Sequence, residues 1–114
     1  MVFVLEGNGS LLEPLMRGLA LRRPAIVLND LRENTEFPPG CILIAPYELR
    51  RQIMVYLTAR KPKMSCVLLG TDLLPDSVVN FPQLELLTHR PAQVQDYLMS
   101  KGALMALNPQ LAMQ

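Results

Sequence analysis

Five short apolar runs, separated by segments with the periodicity of helices, constrain the fold of this chain more than any other feature. Each run is five to seven residues long and is apolar on both faces rather than at alternate positions. Strands of this kind are typical of a parallel sheet covered by helices on its two sides. The runs are VFVLE (2–6), AIVLNDL (25–31), CILIA (41–45), SCVLLG (65–70) and LELLT (84–88). We therefore predict an α/β protein with three layers and a five-stranded, mainly parallel sheet.

The segments between the runs predict three helices. Ser10 and Glu13 form a capping box in front of apolar residues at helical spacing, which predicts a first helix that ends at 22–24. The same spacing predicts a second helix over 48–60. A third is predicted over 91–102, with a proline at its start and a glycine at its C-terminal cap.

Two other segments and the C-terminal tail complete the division of the chain. Residues 72–83 fit one or two helical turns, whereas RENTEFPPG (32–40) is predicted to be a loop because of its two prolines. The length of 114 residues fits a single domain. We place this domain at residues 1–102 and regard 103–114 as an apolar tail or linker.

Composition and charge exclude several classes of function. Half of the residues are hydrophobic and the mean hydropathy is +0.21, which leaves apolar surface for a protein partner beyond one core. Lys and Arg number 11 against 10 Asp and Glu, so we expect no direct binding of nucleic acid by this domain. No apolar stretch approaches the ~20 residues that cross a bilayer, so we expect no membrane insertion. The start, MVFVLEGNGS, lacks the features of a signal peptide, which favours a cytoplasmic protein.

The two cysteines are predicted to be structural. Cys41 and Cys66 each begin a strand-like run, where a buried thiol serves as a small apolar side chain. The chain has no CxxC pair and only one histidine, His89, so the ligands of a zinc site are not present. We expect neither a metal nor another cofactor.

The carboxyl ends of the strands are where an α/β sheet of this type binds ligands. GNGS (7–10) follows the first strand and precedes a helix, so it either cradles an anion or forms a tight turn with an N-cap, and the turn is favoured. Glu6, Asp30 and Asp72 also follow strands and could approach one another at that edge and bind Mg²⁺ through their oxygens, but acidic residues at strand ends are common and we do not predict a metal site. His89 follows the fifth strand without a nucleophile or acid placed beside it, so it is not assigned a catalytic role.

With these strand ends read out, the chain resembles the receiver domain of bacterial response regulators. That family has about this length and alternates five strands with five helices. Its members carry a hydroxyl residue after the fourth strand, where Thr71 stands in CVLLGTD. They carry a Lys-Pro pair after the fifth strand, where Arg90 and Pro91 stand. The resemblance implies a flavodoxin-like sheet over nearly the whole chain.

The chain departs from the receiver pattern at the positions that carry its chemistry. Glu6 is a single acid with Gly7 beside it, where active receivers have an acidic pair. The third strand ends in Ala-Pro-Tyr (45–47), without the phospho-accepting Asp. The loop at 32–40 replaces the second helix, and Leu87 stands where an aromatic switch residue is frequent. The chain is therefore identified as a degenerate receiver, or pseudo-receiver, in which Glu6, Thr71 and Arg90 are vestigial positions.

The function implied by this resemblance is regulatory rather than enzymatic. We expect a non-catalytic domain for protein interaction or dimerisation within a bacterial signalling protein or transcriptional regulator. In receivers the region that corresponds to 73–101 mediates dimerisation, which implies contact with a second copy or another protein there. The predicted contact residues are Val78, Val79, Phe81, Val94, Tyr97 and Leu98.

Two alternative functions stay open at this point. One is a small phosphotransfer or carrier domain similar to the sugar phosphotransferase B subunits, which carry a catalytic cysteine after their first strand. Here Glu6 and Gly7 occupy that place, and both cysteines begin strands instead. The other alternative is an anion- or nucleotide-binding domain that uses GNGS (7–10).

Overall fold

A computed structural model describes residues 1–6, 18–31, 37–70, 83–88 and 90–112. In chain order the elements are β1 (Val2–Leu5), β2 (Ala20–Leu21), β3 (Ile26–Leu28), β4 (Cys41–Pro46), a 3₁₀ turn (Tyr47–Leu49), α1 (Arg50–Arg60), β5 (Met64–Gly70), β6 (Leu84–Thr88), α2 (Pro91–Ser100), β7 (Leu104–Ala106) and α3 (Pro109–Ala112).

The main sheet consists of five parallel strands in the order β3-β1-β4-β5-β6. All five predicted strands are present, and each begins or ends within three residues of its predicted bounds. In chain order the strands lie 2-1-3-4-5, which is the order of flavodoxin-like sheets. The predicted fold class, a five-stranded parallel α/β sheet, is confirmed.

Two helices cover opposite faces of this sheet, so the domain has three layers. Successive residues of a strand point to opposite faces. In β4, Leu43 packs in the same buried cluster as Ile53 and Leu57 of α1, whereas the next residue, Ile44, packs in the cluster that contains Leu98 of α2. We call these sides the α1 face and the α2 face. Because β4 is fully buried on both sides, its near-continuous apolar composition follows from its central place.

The described part of the segment between β3 and β4 contains no α-helix. Residues 29–31 and 37–40 connect the strands, and residues 32–36 lie outside the described ranges. Phe37 closes this side of the core, since its ring meets Phe3 edge-on at a centroid distance of 4.8 Å and Tyr56 of α1 at 5.8 Å. An aromatic side chain from a loop thus covers part of the α1 face.

Helices α1 and α2 confirm two of the three predicted helices. Pro91 occupies the first turn of α2, where its missing N–H costs no hydrogen bond. After Ser100 the chain turns at Gly102, whose φ of +73° is readily adopted only by glycine. Gly102 N–H donates to the carbonyl of Met99, so the predicted glycine cap is present.

The end of the first predicted helix is wrong in its described part. Residues 18–23 are not helical, and Ala20–Leu21 instead form β2. This strand pairs antiparallel with β7, and Arg22 N–H donates to the carbonyl of Ala103. Backbone pairing with a segment more than 80 residues away has therefore overridden the local helical spacing. The rest of that prediction, 10–17, lies outside the described residues.

The tail packs against the domain in its described part, because β7 pairs with β2 and Leu104 is buried. Whether 103–114 also serves as a linker stays a prediction. Across the described ranges, no helix combines the length and apolar character needed to cross a membrane.

Candidate functional site

The carboxyl edge of the main sheet is the candidate site, because all five strands end there. Glu6 follows β1 and is half-buried, and its N–H donates to the carbonyl of Leu28 at 2.9 Å, which extends the pairing of β1 with β3. Asp30 follows β3 on the neighbouring strand and is also half-buried. Adjacent parallel strands thus bring two of the three predicted acidic residues to one edge.

Several predicted residues of this edge lie outside the described ranges. They are Thr71, Asp72, His89 and the GNGS segment at 7–10. Within the described residues, no three His, Cys, Asp or Glu side chains lie close enough to hold a metal ion. Since Asp72 is not among the residues searched, the absence of a metal stays a prediction, as does the anion-binding role of GNGS.

The end of β4 is filled by an aromatic side chain. Pro46 is buried with an extended backbone, and the 3₁₀ turn that follows places Tyr47 against the core of the α1 face. The guanidinium carbon of Arg50 lies 4.5 Å from the centroid of the Tyr47 ring, and Arg50 Nη1 donates to the Tyr47 carbonyl at 3.4 Å. A cation over an aromatic face is attractive, so Arg50 holds this ring in place. The phenol ring of Tyr47 therefore packs at the position that follows β4, the third strand of the main sheet in chain order.

Among the residues that the structure describes, the Tyr47 hydroxyl has no hydrogen-bond partner although it is buried. An unpaired buried hydroxyl costs free energy, so the ring is placed here by packing rather than by its polar group. The sequence draws attention to Tyr47 only because no Asp stands at the end of the strand-like run 41–45. The signal for its packing was the Tyr47–Arg50 spacing of three residues at a helix start, which brings the two side chains together.

Arg90 has a structural place at the start of α2. It is the N-cap residue, it is exposed, and its carbonyl accepts the N–H groups of Gln93 at 3.0 Å and Val94 at 3.4 Å. Its side chain makes no capping hydrogen bond. The backbone of Arg90 and the ring of Pro91 thus start the helix.

Three predicted contact residues are buried in the core. Val94, Tyr97 and Leu98 are 1%, 8% and 0% exposed and form part of the cluster on the α2 face. A partner cannot reach them while the helix is packed, so the structure moves these residues from the predicted contact surface to the core. Their spacing is that of the buried stripe of an amphipathic helix. The other three, Val78, Val79 and Phe81, lie outside the described residues.

In the described part of the same region, 83–88 and 90–101, the exposed residues are mostly charged. β6 is an edge strand of the sheet, and on it Glu85 is exposed. Beside it, α2 and its ends expose Arg90, Asp96 and Lys101. We call these four residues the mixed-charge surface. Glu85 and Lys101 line one hollow, where Lys101 Nζ lies 5.5 Å from the centroid of the Tyr97 ring. Side chains of both signs can pair with the same residues of a second copy.

Both cysteines are buried as predicted, and neither is in a disulfide. Burial raises the pKa of the Cys66 thiol from its ordinary 9.0 to about 12, and burial also raises the pKa of Cys41. The thiolate is the reactive form, so these environments suppress nucleophilic chemistry. This disfavours the carrier-domain alternative, which needs an accessible thiolate.

Two open concavities flank α1 on its outer side. One has a volume of about 720 Å³ and lies between the end of β3 and the helix, with Leu31, Val55 and Tyr56 among its lining residues. The other, of about 850 Å³, is lined by residues of the 3₁₀ turn and α1. Val55 is 63% exposed in this region, so the outer side of α1 adds apolar surface to the domain.

Comparison of the chain with protein-family profiles, with curated proteins and with solved structures found no match.

Proposed function

We propose that the chain is a non-catalytic regulatory domain, a degenerate receiver that acts in the cytoplasm by contact with a second copy of itself. It belongs to a bacterial signalling protein or transcriptional regulator. The proposal depends mainly on Tyr47, a packed ring at the end of β4 where an active receiver holds its acceptor carboxylate. The strand order 2-1-3-4-5, which receivers share, supports it.

The chemistry of phosphotransfer explains why this position matters. In a receiver, a carboxylate oxygen attacks the phosphoryl group, and an adjacent metal ion and cation neutralise the charge that develops. Tyr47 offers a phenol with its hydroxyl buried, and its ring face is covered by Arg50. A domain with this substitution keeps the scaffold and loses the covalent step.

The contact with the second copy is assigned to the mixed-charge surface, Glu85, Arg90, Asp96 and Lys101. In a two-fold interface each residue meets a residue of the same patch on the other copy. Opposite charges within one patch permit such pairing, whereas a patch of a single sign would repel its copy. The net charge of +1 does not oppose self-association.

Sedimentation velocity of the full chain over a hundredfold range of concentration tests the self-association. We expect dimers to form as concentration rises, and Asp96→Lys to weaken the dimer about tenfold or more because it creates like charges at the interface. Combining Asp96→Lys with Arg90→Glu restores opposite charges and is expected to recover part of the affinity. Glu48→Lys makes the same kind of change on the exposed 3₁₀ turn and serves as the control.

A chain that stays monomeric at every concentration contradicts the dimer. Incubation with acetyl phosphate and Mg²⁺, followed by intact-mass measurement, tests the loss of chemistry separately. We expect no phosphoryl adduct. A stable adduct on any residue of the folded chain overturns the non-catalytic assignment whatever the oligomeric state.

A further inference from the structure

The last described segment of the chain is fastened to the domain at a few points. Its strand β7 pairs with the two residues of β2, and Leu104 is 1% exposed within the cluster of the α2 face. Beyond Leu104 the side chains turn outward, since Met105 is 65% and Leu107 55% exposed. β7 is therefore held by one buried apolar side chain, Leu104, and by its short backbone pairing with β2.

A buried amide adds the most specific contact. Gln95 lies on the buried side of α2 between Val94 and Tyr97, and it is 1% exposed. It is the single buried polar side chain in the described part of the chain. Its Nε2 donates to the carbonyl of Asn108 at 3.1 Å, and its Oε1 accepts the N–H of Asn108 at 2.8 Å. The amide thus satisfies both backbone groups of one tail residue.

Asn108 in turn bonds to two further segments through its side chain. Its Nδ2 donates to the carbonyl of Gly18 at 3.1 Å, and its Oδ1 accepts the N–H of Gln110 at 3.0 Å in the short helix α3. Loss of the Gln95 contact would leave two backbone groups of Asn108 without partners. Buried unpaired groups are costly, so the contacts of Asn108 are expected to form and break together.

We infer that residues 104–112 are a latch that opens and closes as a unit, with the Gln95–Asn108 pair as its catch and Gly102 as its hinge. Gly102 has φ of +73°, is exposed, and has no atom within 4 Å of the place a Cβ would occupy. Segments with few buried apolar contacts open at lower free energy than the core they rest on. Opening exposes part of the cluster that contains Leu104, Val94 and Leu98. This device does not depend on the proposed function.

Hydrogen exchange of single amides, followed by NMR on the full chain, tests the latch. The reporters are the N–H groups of Arg22 and Asn108, which bond to Ala103 and Gln95 across the closed latch. The references are amides 43–45 and 67–69 in the central strands β4 and β5. We expect the reporters to exchange faster than the references in the unaltered chain, since the latch opens without global unfolding.

Gln95→Glu is the variant that addresses the catch. It has nearly the same shape, but its ionised carboxylate cannot donate to the Asn108 carbonyl. Because burial raises the pKa of a carboxyl group, exchange is measured at neutral and at alkaline pH so that the ionised form is sampled. We expect exchange at the reporters to accelerate about 10- to 100-fold, with a much smaller change at the references. Gln52→Glu makes the same chemical change at an exposed position of α1 and should leave both sets unchanged.

A reversible disulfide distinguishes local opening of the latch from general destabilisation of the fold. Ala20 and Ala106 are register partners of the antiparallel pair, so Ala20→Cys with Ala106→Cys can form a disulfide across β2 and β7. In the Gln95→Glu background, oxidation should restore protection at the reporters and reduction should remove it. If reporters and references lose protection together in every variant, or if the reporters never exchange faster than the references, the latch does not exist.

Discussion

The two faces of the main sheet are covered by different means. On the α1 face the cover depends on side-chain packing, in which Phe37 from a loop bridges the rings of Phe3 and Tyr56. On the α2 face the buried cluster is largely aliphatic, and its outer layer is fastened by the amide of Gln95 and the backbone of the tail. The loop on the α1 face is therefore held by apolar contact, whereas the tail on the α2 face is fastened mainly by paired polar groups.

The two faces also differ in whether their buried polar groups have hydrogen-bond partners. On the α1 face the hydroxyl of Tyr47 has no partner within the described ranges, whereas Gln95 on the α2 face has both ends of its amide paired. Apolar packing tolerates one orphan group at a moderate cost, but a polar fastening fails when either partner is removed. The comparison implies that the loop cover of the α1 face responds to changes of side-chain volume, and that the tail over the α2 face responds to changes of hydrogen bonding.

The largest expected effect tests the centre that the two faces share, and it uses two neighbouring residues of β4. Leu43→Ala creates a cavity on the α1 face and Ile44→Ala creates one on the α2 face, and both side chains are fully buried. We expect each to lower the free energy of unfolding by about 2–5 kcal/mol, measured by urea denaturation. The equal depth of the two sites means that the faces should differ in their covers and not in their centre.

Val55→Ala is the control for this pair, because Val55 is exposed on α1 and should change stability by less than about 0.5 kcal/mol. A loss below about 1 kcal/mol for either β4 variant would show that its face is not packed as described.

The second test addresses the aromatic cover of the α1 face. Phe37→Ala removes the ring that meets Phe3 and Tyr56, and we expect a loss of about 1.5–3 kcal/mol in urea denaturation. The value is below that of a fully buried Phe because Phe37 is half-buried. Phe37→Leu keeps most of the apolar volume without the edge-to-face geometry and should recover more than half of the loss. Equal losses for Ala and Leu would mean that ring geometry, rather than apolar cover, holds this loop.

The centre of the fold could be predicted from the sequence, whereas its covers could not. Five apolar runs identify strands buried on both faces, and local spacing identifies α1 and α2, because each signal lies within one segment. The pairing of 20–21 with 104–106 has no local signal, since two or three residues from distant parts of the chain form it. The local spacing therefore predicts a helix through residues 18–23, where the structure has none.

The candidate site was predictable in position but not in content. The predicted strand ends placed Glu6 and Asp30 at one edge of the sheet. The residue types of Pro46 and Tyr47 did not predict that the Tyr47 ring would pack at the end of β4 against Arg50. For Gln95 a signal was present, namely a polar residue within the buried stripe of α2. Its partner, the backbone of Asn108, cannot be read from residue types, because every residue offers the same backbone groups.

The smallest effect expected at neutral pH comes from the buried thiol of Cys66, which also makes the stability depend on pH. Cys41 and Cys66 both lie in the cluster of the α1 face. The Cys66 thiol has a pKa of 9.0 when exposed and about 12 in the folded chain, because burial disfavours its charged form. The unfolded chain therefore releases this proton first as pH rises. The stability that depends on the neutral thiol is complete below pH 9 and is lost between pH 9 and 12.

Cys66→Ala is accordingly expected to cost only about 1 kcal/mol at neutral pH, close to the value of one buried methylene. Above pH 9 it should lose stability less steeply than the unaltered chain, because its unfolded state no longer gains a thiolate. Urea denaturation at neutral pH and in steps above pH 9 measures both quantities. Burial also raises the pKa values of Cys41, Tyr56 and Tyr97, which both proteins contain, so the difference between the two curves reports the Cys66 thiol together with its charge effect on the two tyrosines. Parallel curves would mean that Cys66 ionises as readily in the folded chain as in the unfolded one. The α1 face would then be open to water at its centre, contrary to the packing described for β4 and β5.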